Sequence, residues 1–345
     1  MKTRKPFLAA LLTLLCVMLL GTTAFAASGT VATIGSTKYT SLESAIKKVK
    51  TGQTIVLKKN VNYTQPLVIN RSGKIFTINL NKKTITFKNA NSFLSVKKGN
   101  VTLKNGTIKQ AKTQAYVLKT EKNGKLTVES GTYSGLVSNL GTMTINKASF
   151  ANIDKTVNLS CATIDNKGTM TINKGAIVDG KKMQAVSNSG TLTINGGVFR
   201  TSIPFGEGLK DPSIPEQQTD TLLYNYNKGK LTINGGKFTS PVLCLVNEPD
   251  ATVTVNKGTA SFTSNLVGCF TNYGTAKVKG GTWTTKESGW GVFYNFFGTM
   301  TLSSVTVKSA WSVLETYGET TAKVTSGTFT SSCDSSGPAM FIAFG

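Results

Sequence analysis

One hexapeptide recurs through the middle of the chain with almost no variation. Gly141-Thr-Met-Thr-Ile-Asn146 returns as Gly168-Thr-Met-Thr-Ile-Asn173, Gly190-Thr-Leu-Thr-Ile-Asn195 and Gly229-Lys-Leu-Thr-Ile-Asn234. Weaker copies start at Gly99, Gly124, Ala251, Gly274, Gly298 and Thr320; four spacings between starts are 22 or 23 residues, several are longer, and one, from Gly124 to Gly141, is only 17. Self-similarity at a fixed short period is the mark of a repeat architecture, in which no unit buries its own apolar face and stacking closes the core.

The pattern inside each copy fixes the kind of unit. With the first residue counted as zero, positions +2 and +4 are apolar throughout, from Val101 and Leu103 through Met143 and Ile145 to Ala322 and Val324. Positions +1 and +3 are mostly Thr or Lys, so the segment alternates with the period of a strand buried on one face. Position +7 is usually Gly, and +9 is apolar and often aromatic: Ile108, Tyr133, Phe150, Ile177, Phe199, Phe238, Trp283, Val307 and Phe329, with Phe262 two residues late in its copy. A strand, a tight turn, a short second strand and a return within such a unit predict an all-β chain, a right-handed parallel β-helix of about 10–12 coils.

Two sets of asparagines fit such stacking. Asn146, Asn173, Asn195, Asn234 and Asn256 fall at +5 in consecutive coils, and Asn139, Asn166, Asn188, Asn227 and Asn272 lie two residues before a repeat start. Asn tolerates the left-handed conformation of sharp turns, and amides stacked at the strand spacing can bond along a column. Both sets are read as structural ladders.

The ends differ from the middle. Lys2, Arg4 and Lys5, the apolar run Phe7 to Leu20 and Ala24-Phe-Ala26 form a signal peptide at 1–26. No other stretch could cross a membrane, so the expected mature chain is secreted or at the cell surface, with no membrane span. Residues 27–60 are read as an N-terminal cap around an amphipathic helix at 41–50, with Leu42, Ala45, Ile46 and Val49 on one face, Ser41 as N-cap and Gly52 as the stop. The solenoid then runs over 61–345, interrupted by a long insertion at about 200–222. Its apolar last residues, Ala339 to Gly345, leave room for end-to-end self-association through the C-terminal coil.

Val31-Ala-Thr-Ile-Gly35, Tyr39-Thr-Ser-Leu-Glu-Ser-Ala-Ile46, Gly52-Gln-Thr-Ile-Val-Leu57 and Ile78-Asn-Leu-Asn-Lys-Lys-Thr-Ile85 resemble the opening of secreted right-handed β-helix proteins of Gram-positive bacteria, in the broad pectate-lyase-like superfamily. The resemblance spans nearly the whole chain after the leader. It implies fold and export, but that fold carries lyases, hydrolases, adhesins and inert stalks alike.

Composition narrows the chemistry. The chain has 39 Lys and Arg against 16 Asp and Glu, a formal net charge of +23. Past the leader only Arg71 and Arg200 are arginines. A lysine surplus attracts polyanions without the planar fork that reads phosphates or bases, so acidic polysaccharide or a cell-wall polymer is the expected partner and nucleic acid is not. There is no histidine, which removes Ser-His-Asp and Cys-His catalysis and the usual zinc sets. Cys161, Cys244, Cys269 and Cys333 form no CxxC pair. Cys244 and Cys269 share an offset that permits either a disulfide or stacked free thiols.

No catalytic site, cofactor or metal is expected. Asp154, Asp165 and Asp179, the densest acids on the coils, fall in different columns and read as ordinary solvated charges. The best place for a ligand is the insertion, because long loops on rigid solenoids carry function. Its candidate contacts are Arg200, Glu207, Asp211, Glu216 and Asp220, with Tyr224 and Tyr226 beyond it. Tyr273, Trp290, Tyr294, Trp311 and Tyr317 are further rings that could stack on sugars. The Thr-x-Thr column resembles an ice-binding surface, but lysines interrupt it and threonine is favoured on any exposed strand. The function expected is a non-enzymatic extracellular binding or surface-display protein. The alternatives are a polysaccharide lyase or glycoside hydrolase of the pectate-lyase-like superfamily, and a structural spacer.

Overall fold

The computed structural model describes residues 29–157, 161–204, 220–286, 291–333 and 340–344. The chain winds as an all-β right-handed parallel β-helix of about 11 turns. Each turn contributes a strand to three parallel sheets. The first, a threonine sheet, contains Thr54–Leu57, Thr169–Ile172, Thr191–Ile194 and Thr275–Val278. The second, an aromatic sheet, contains Thr84–Phe87, Val198–Arg200 and Thr282–Thr285. The third, a return sheet, contains Leu136–Asn139, Ala162–Asn166, Gln184–Asn188 and Thr221–Asn225.

In-register pairing turns the repeat into columns. Met143, Met170, Leu192, Leu231 and Val253 follow one another up the threonine sheet, with Ile145, Ile172, Ile194, Ile233 and Val255 beside them, all at most 3 % exposed. Outside, Thr54 begins a column that continues through Thr77, Thr102, Thr127, Thr144, Thr171, Thr193, Thr232 and Thr254 before Lys277 breaks it. The glycine that opens most copies is dictated by these columns. A Cβ on Gly168 would lie 2.3 Å from the Gly141 carbonyl oxygen, and one on Gly190 would lie 2.2 Å from that of Gly168. At this corner successive backbones come too close for any side chain.

In the aromatic sheet the rings stack: Tyr133 on Phe150, then Phe199 on Phe238, Phe238 on Phe262 and Phe262 on Trp283, with centroids 3.8–4.9 Å apart. Stacked pairs contribute about 0.5–1.5 kcal/mol each beyond their burial. The repeat spacing places Ile177 in the column, but Val178 pairs with both Phe150 and Phe199 and is fully buried, while Ile177 is half-exposed. The turn at Lys174-Gly175 shifts the strand by one residue, which exchanges its faces. Ala322 and Val324, read as core, are exposed, because among the described residues no coil stacks beyond theirs.

Both asparagine ladders exist as bonded columns, with opposite polarity. In the outer one Asn173 Nδ2 donates to Asn146, Asn195 to Asn173, Asn234 to Asn195 and Asn256 to Asn234, at 2.7–2.8 Å. It ends on a carboxylate, since Asn146 donates to Glu129. In the buried one Asn139 donates to Asn166, Asn166 to Asn188, Asn188 to Asn225, Asn225 to Asn247, Asn247 to Asn272 and Asn272 to Asn295. Asn227, assigned to this ladder from sequence, is not in it. The turn after Asn225 is two residues longer than the one after Asn188 on the preceding coil, and Asn227 and Lys228 occupy it with positive φ.

The N-terminal cap is a helix over Leu42–Lys48, with the Ser44 amide donating to Ser41 Oγ at 3.0 Å and Leu42, Ala45 and Ile46 buried. It is shorter than expected and ends at Val49, whose extended backbone turns the chain before Gly52 is reached. Ala32–Ile34 adds an antiparallel hairpin with Thr37–Tyr39, which the periodicity did not reveal. No helix among the described residues is long and apolar enough to cross a membrane. The leader at 1–26 lies outside the described residues. Cys244 and Cys269 are buried free thiols that donate to the Thr263 and Thr284 carbonyls at 3.3 Å.

The ladders differ in burial, and so in cost of loss. Asn188→Ala strands Asn225 Oδ1 and leaves Asn166 Nδ2 only its longer bonds to the Gly168 and Thr191 carbonyls, so it is expected to cost about 2–3 kcal/mol, whereas water replaces the bonds of Asn195, so Asn195→Ala costs below about 1 kcal/mol. Urea unfolding measures both, and equal losses would contradict the assignment.

Candidate functional site

The outer surface of the return sheet carries a column one residue before the buried ladder. It runs Ser95, Lys119, Ser138, Asp165, Ser187, Tyr224, Val246, Thr271, Tyr294 and Glu315. Two small residues, Ser138 and Ser187, flank Asp165, so the face is recessed where taller columns would fill it. The recess is a cavity of about 230 Å³ lined by Tyr116, Cys161, Asp165, Lys167, Ser187 and Tyr226, with Leu136 and Ala162 at its base.

Its polar groups are held in place. Ser187 Oγ donates to Asp165 Oδ1 at 3.1 Å and Lys167 Nζ lies 3.2 Å from Asp165 Oδ2. The bonded carboxylate raises the Lys167 pKa, so the ammonium stays charged. The aromatic walls are equally fixed. Tyr226 stacks on Tyr224 with centroids 5.4 Å apart, and the Tyr224 hydroxyl is bonded to Glu248. On the opposite side Lys119 Nζ sits between two rings, 4.2 Å from the Tyr116 centroid and 4.3 Å from that of Phe93. Cations over ring faces are attracted by the quadrupole, and the pairing orients both partners. Burial, then the charge of Asp165 and the Cys161 thiol, raise the Tyr116 pKa against an opposing effect of Lys167, so its hydroxyl remains a donor. Together these supply two flat faces, a carboxylate, the Lys167 ammonium with that of Lys119 behind Tyr116, and the hydroxyls of Tyr116, Tyr226 and Ser187.

The sequence assignments distribute unevenly around this site. Tyr226 forms one wall, and Tyr224 stacks against it without lining the cavity. Arg200 does not reach it: it lies at the end of the strand Val198–Arg200 in the aromatic sheet, exposed, with Nε 2.8 Å from Asp179 Oδ2, and Lys181 also pairs with Asp179. Burial opposes ionisation of Asp179, but its bonds from Arg200 and Lys181 prevail and lower its pKa. Asp220 is wholly buried at the start of Thr221–Asn225. Glu207, Asp211 and Glu216 lie outside the described residues, as does Trp290. Tyr273 and Tyr294 are withdrawn from ligand stacking, because they are buried with Val242, Leu243, Val246, Val267 and Phe296 in a second apolar cluster. Trp311 and Tyr317 are half-buried.

Asp165 has the sequence setting of a solvated charge, but the structure bonds it to Ser187 and Lys167 and brings Tyr116 beside it, a grouping that no local spacing reveals. The sequence signal for it is the register between coils, since the outward column precedes each ladder asparagine by one residue. Among the described residues no set of three His, Cys, Asp or Glu could hold a metal ion. Comparison with known protein families, with curated proteins and with solved structures finds no match in any of the three.

The electrostatics give a direct test. Removing the Asp165 charge removes a cause of the raised Tyr116 pKa, so Asp165→Asn should lower the Tyr116 titration midpoint and Lys167→Gln should raise it. Ring-carbon NMR against pH reads both, and no movement in either variant would contradict the contact.

Proposed function

We propose that this chain is an exported, non-enzymatic β-helix that binds an acidic polysaccharide or acidic cell-wall polymer on the outer face of its return sheet. The observation that carries the reading is the recess at Asp165, with rigid tyrosine walls and ammonium groups beside them. Sugar rings present apolar faces that stack on aromatic rings, while their hydroxyls need both donors and acceptors. Tyr116 and Tyr226 supply the first, and Asp165, Ser187 and the Tyr116 hydroxyl the second. Lys119 and Lys167 lie where a uronic acid carboxylate would be met, on a chain whose net charge of +23 draws in polyanions.

Export rests on the leader, and membership of the pectate-lyase-like superfamily on the opening motifs; both are part of this proposal. A catalytic reading gains little from the recess. Glycoside hydrolysis uses a pair of carboxyl groups about 5–10 Å apart, and among the described residues Asp165 is the one carboxylate lining the cavity, with both oxygens engaged.

Immobilised polygalacturonate, alginate, mucin glycan and purified cell wall test the reading at low and high salt. The mature chain should be retained on acidic polymers at low salt and released at high salt, with no unsaturated sugar in solution. Tyr226→Ala should weaken retention about tenfold, a loss of about 1.4 kcal/mol. Soluble unsaturated products would establish a lyase instead, and absence of retention at low salt would end the polyanion reading.

A further inference from the structure

A second cavity lies around the corner from the return sheet to the threonine sheet, in the N-terminal coils. It measures about 470 Å³, and three lysines, Lys74, Lys98 and Lys125, line it with the amides of Asn100 and Asn123. Among the described residues no carboxylate lines it. That is unlike the Asp165 recess, where every charge is answered.

The repeat explains how the lysines come together. Lys98 pairs in register with Asn123, and Asn100 with Lys125, so ammonium and amide groups alternate across two adjacent columns at the coil spacing of about 4.8 Å. Glycines open the space between them. A Cβ on Gly99 would lie 2.6 Å from the Arg71 carbonyl oxygen, and one on Gly124 would lie 2.1 Å from that of Val96. The backbone therefore stays bare at the corner, and the lysines on either side rim a hollow. Ile75, 54 % exposed, lies beside it.

Three like charges in one hollow repel each other, and an anion relieves that repulsion. The form of the donors selects the anion. An ammonium is a point charge with three donors, and three of them around one hollow spread their donors in space, which suits the spread acceptor oxygens of a tetrahedral anion better than the two coplanar oxygens of a carboxylate. The amides of Asn100 and Asn123 add neutral donors. We propose that this cleft is a binding site for a tetrahedral oxyanion, the phosphodiester or sulfate ester group of an acidic polymer. It is separate from the Asp165 recess and does not depend on that reading.

Calorimetric titration of the full mature chain with a glycerol phosphate oligomer, a sulfated oligosaccharide and a galacturonate oligomer tests this. The double variant Lys98→Gln/Lys125→Gln changes exposed side chains, and circular dichroism checks its fold. It should lose at least about tenfold in affinity for the phosphodiester or the sulfated oligomer, with a shallower salt dependence, as expected when charge contacts are removed. Whichever of the two suffers the loss identifies the source of the oxyanion. Galacturonate binding should change less than about twofold, while Tyr226→Ala should do the reverse. The assignment is overturned if neither tetrahedral anion binds the parent chain, if the double variant binds both like the parent, or if galacturonate suffers the same loss.

Discussion

Everything in this molecule depends on one spacing. Each coil must place its backbone about 4.8 Å above the last, in register, in three sheets at once. Where the register is kept, like side chains meet like: isoleucine on isoleucine, ring on ring, amide on amide. Where two backbones approach most closely, at Gly168 and Gly190, a side chain is excluded altogether. The two ladders show how polar groups survive this regime. A buried amide is costly unless both its halves are bonded, and a column of asparagines satisfies each residue with the next. Their opposite polarity means that the buried column donates toward the C-terminal coils and the outer one toward the N-terminal coils.

The same columns make surfaces. A site on a solenoid is a choice of which outward residues to stack, and the return sheet stacks chemistry unlike that of the threonine sheet. On the threonine sheet nine successive threonines give a uniform face. On the return sheet the outward column changes from Lys119 through Asp165 to Tyr224, with serines between them leaving room. The proposed glycan site follows from this heterogeneity, and the lysine cleft from the bare glycine corner next to it.

Sequence made the fold legible because the repeat repeats chemistry as well as length. The period, the +2 and +4 core, the aromatic column and the outer ladder could be read from Gly141 to Asn256 directly. It misled where one coil differed in length from the next. A one-residue shift exchanged Ile177 for Val178, and a two-residue turn put Asn227 where Asn225 belongs. The second error concealed the site, because the column through Asp165 and Ser187 reaches Tyr224 only when the ladder is counted through Asn225. Separations along the chain hid the rest: Tyr116, Asp165 and Tyr226 lie on different coils, and nothing local marks them as neighbours. The hairpin at Ala32–Ile34 was illegible for a related reason, being too short for its alternation to register.

Hydroxyl-radical footprinting with and without a galacturonate oligomer bears most directly on the return-sheet face as the binding surface, because it reads side-chain exposure residue by residue. Loss of reactivity at Tyr116 and Tyr226, with the exposed Phe297 and Leu140 unchanged, is the predicted result. Protection confined to other residues, with these two tyrosines as reactive as before, would contradict it.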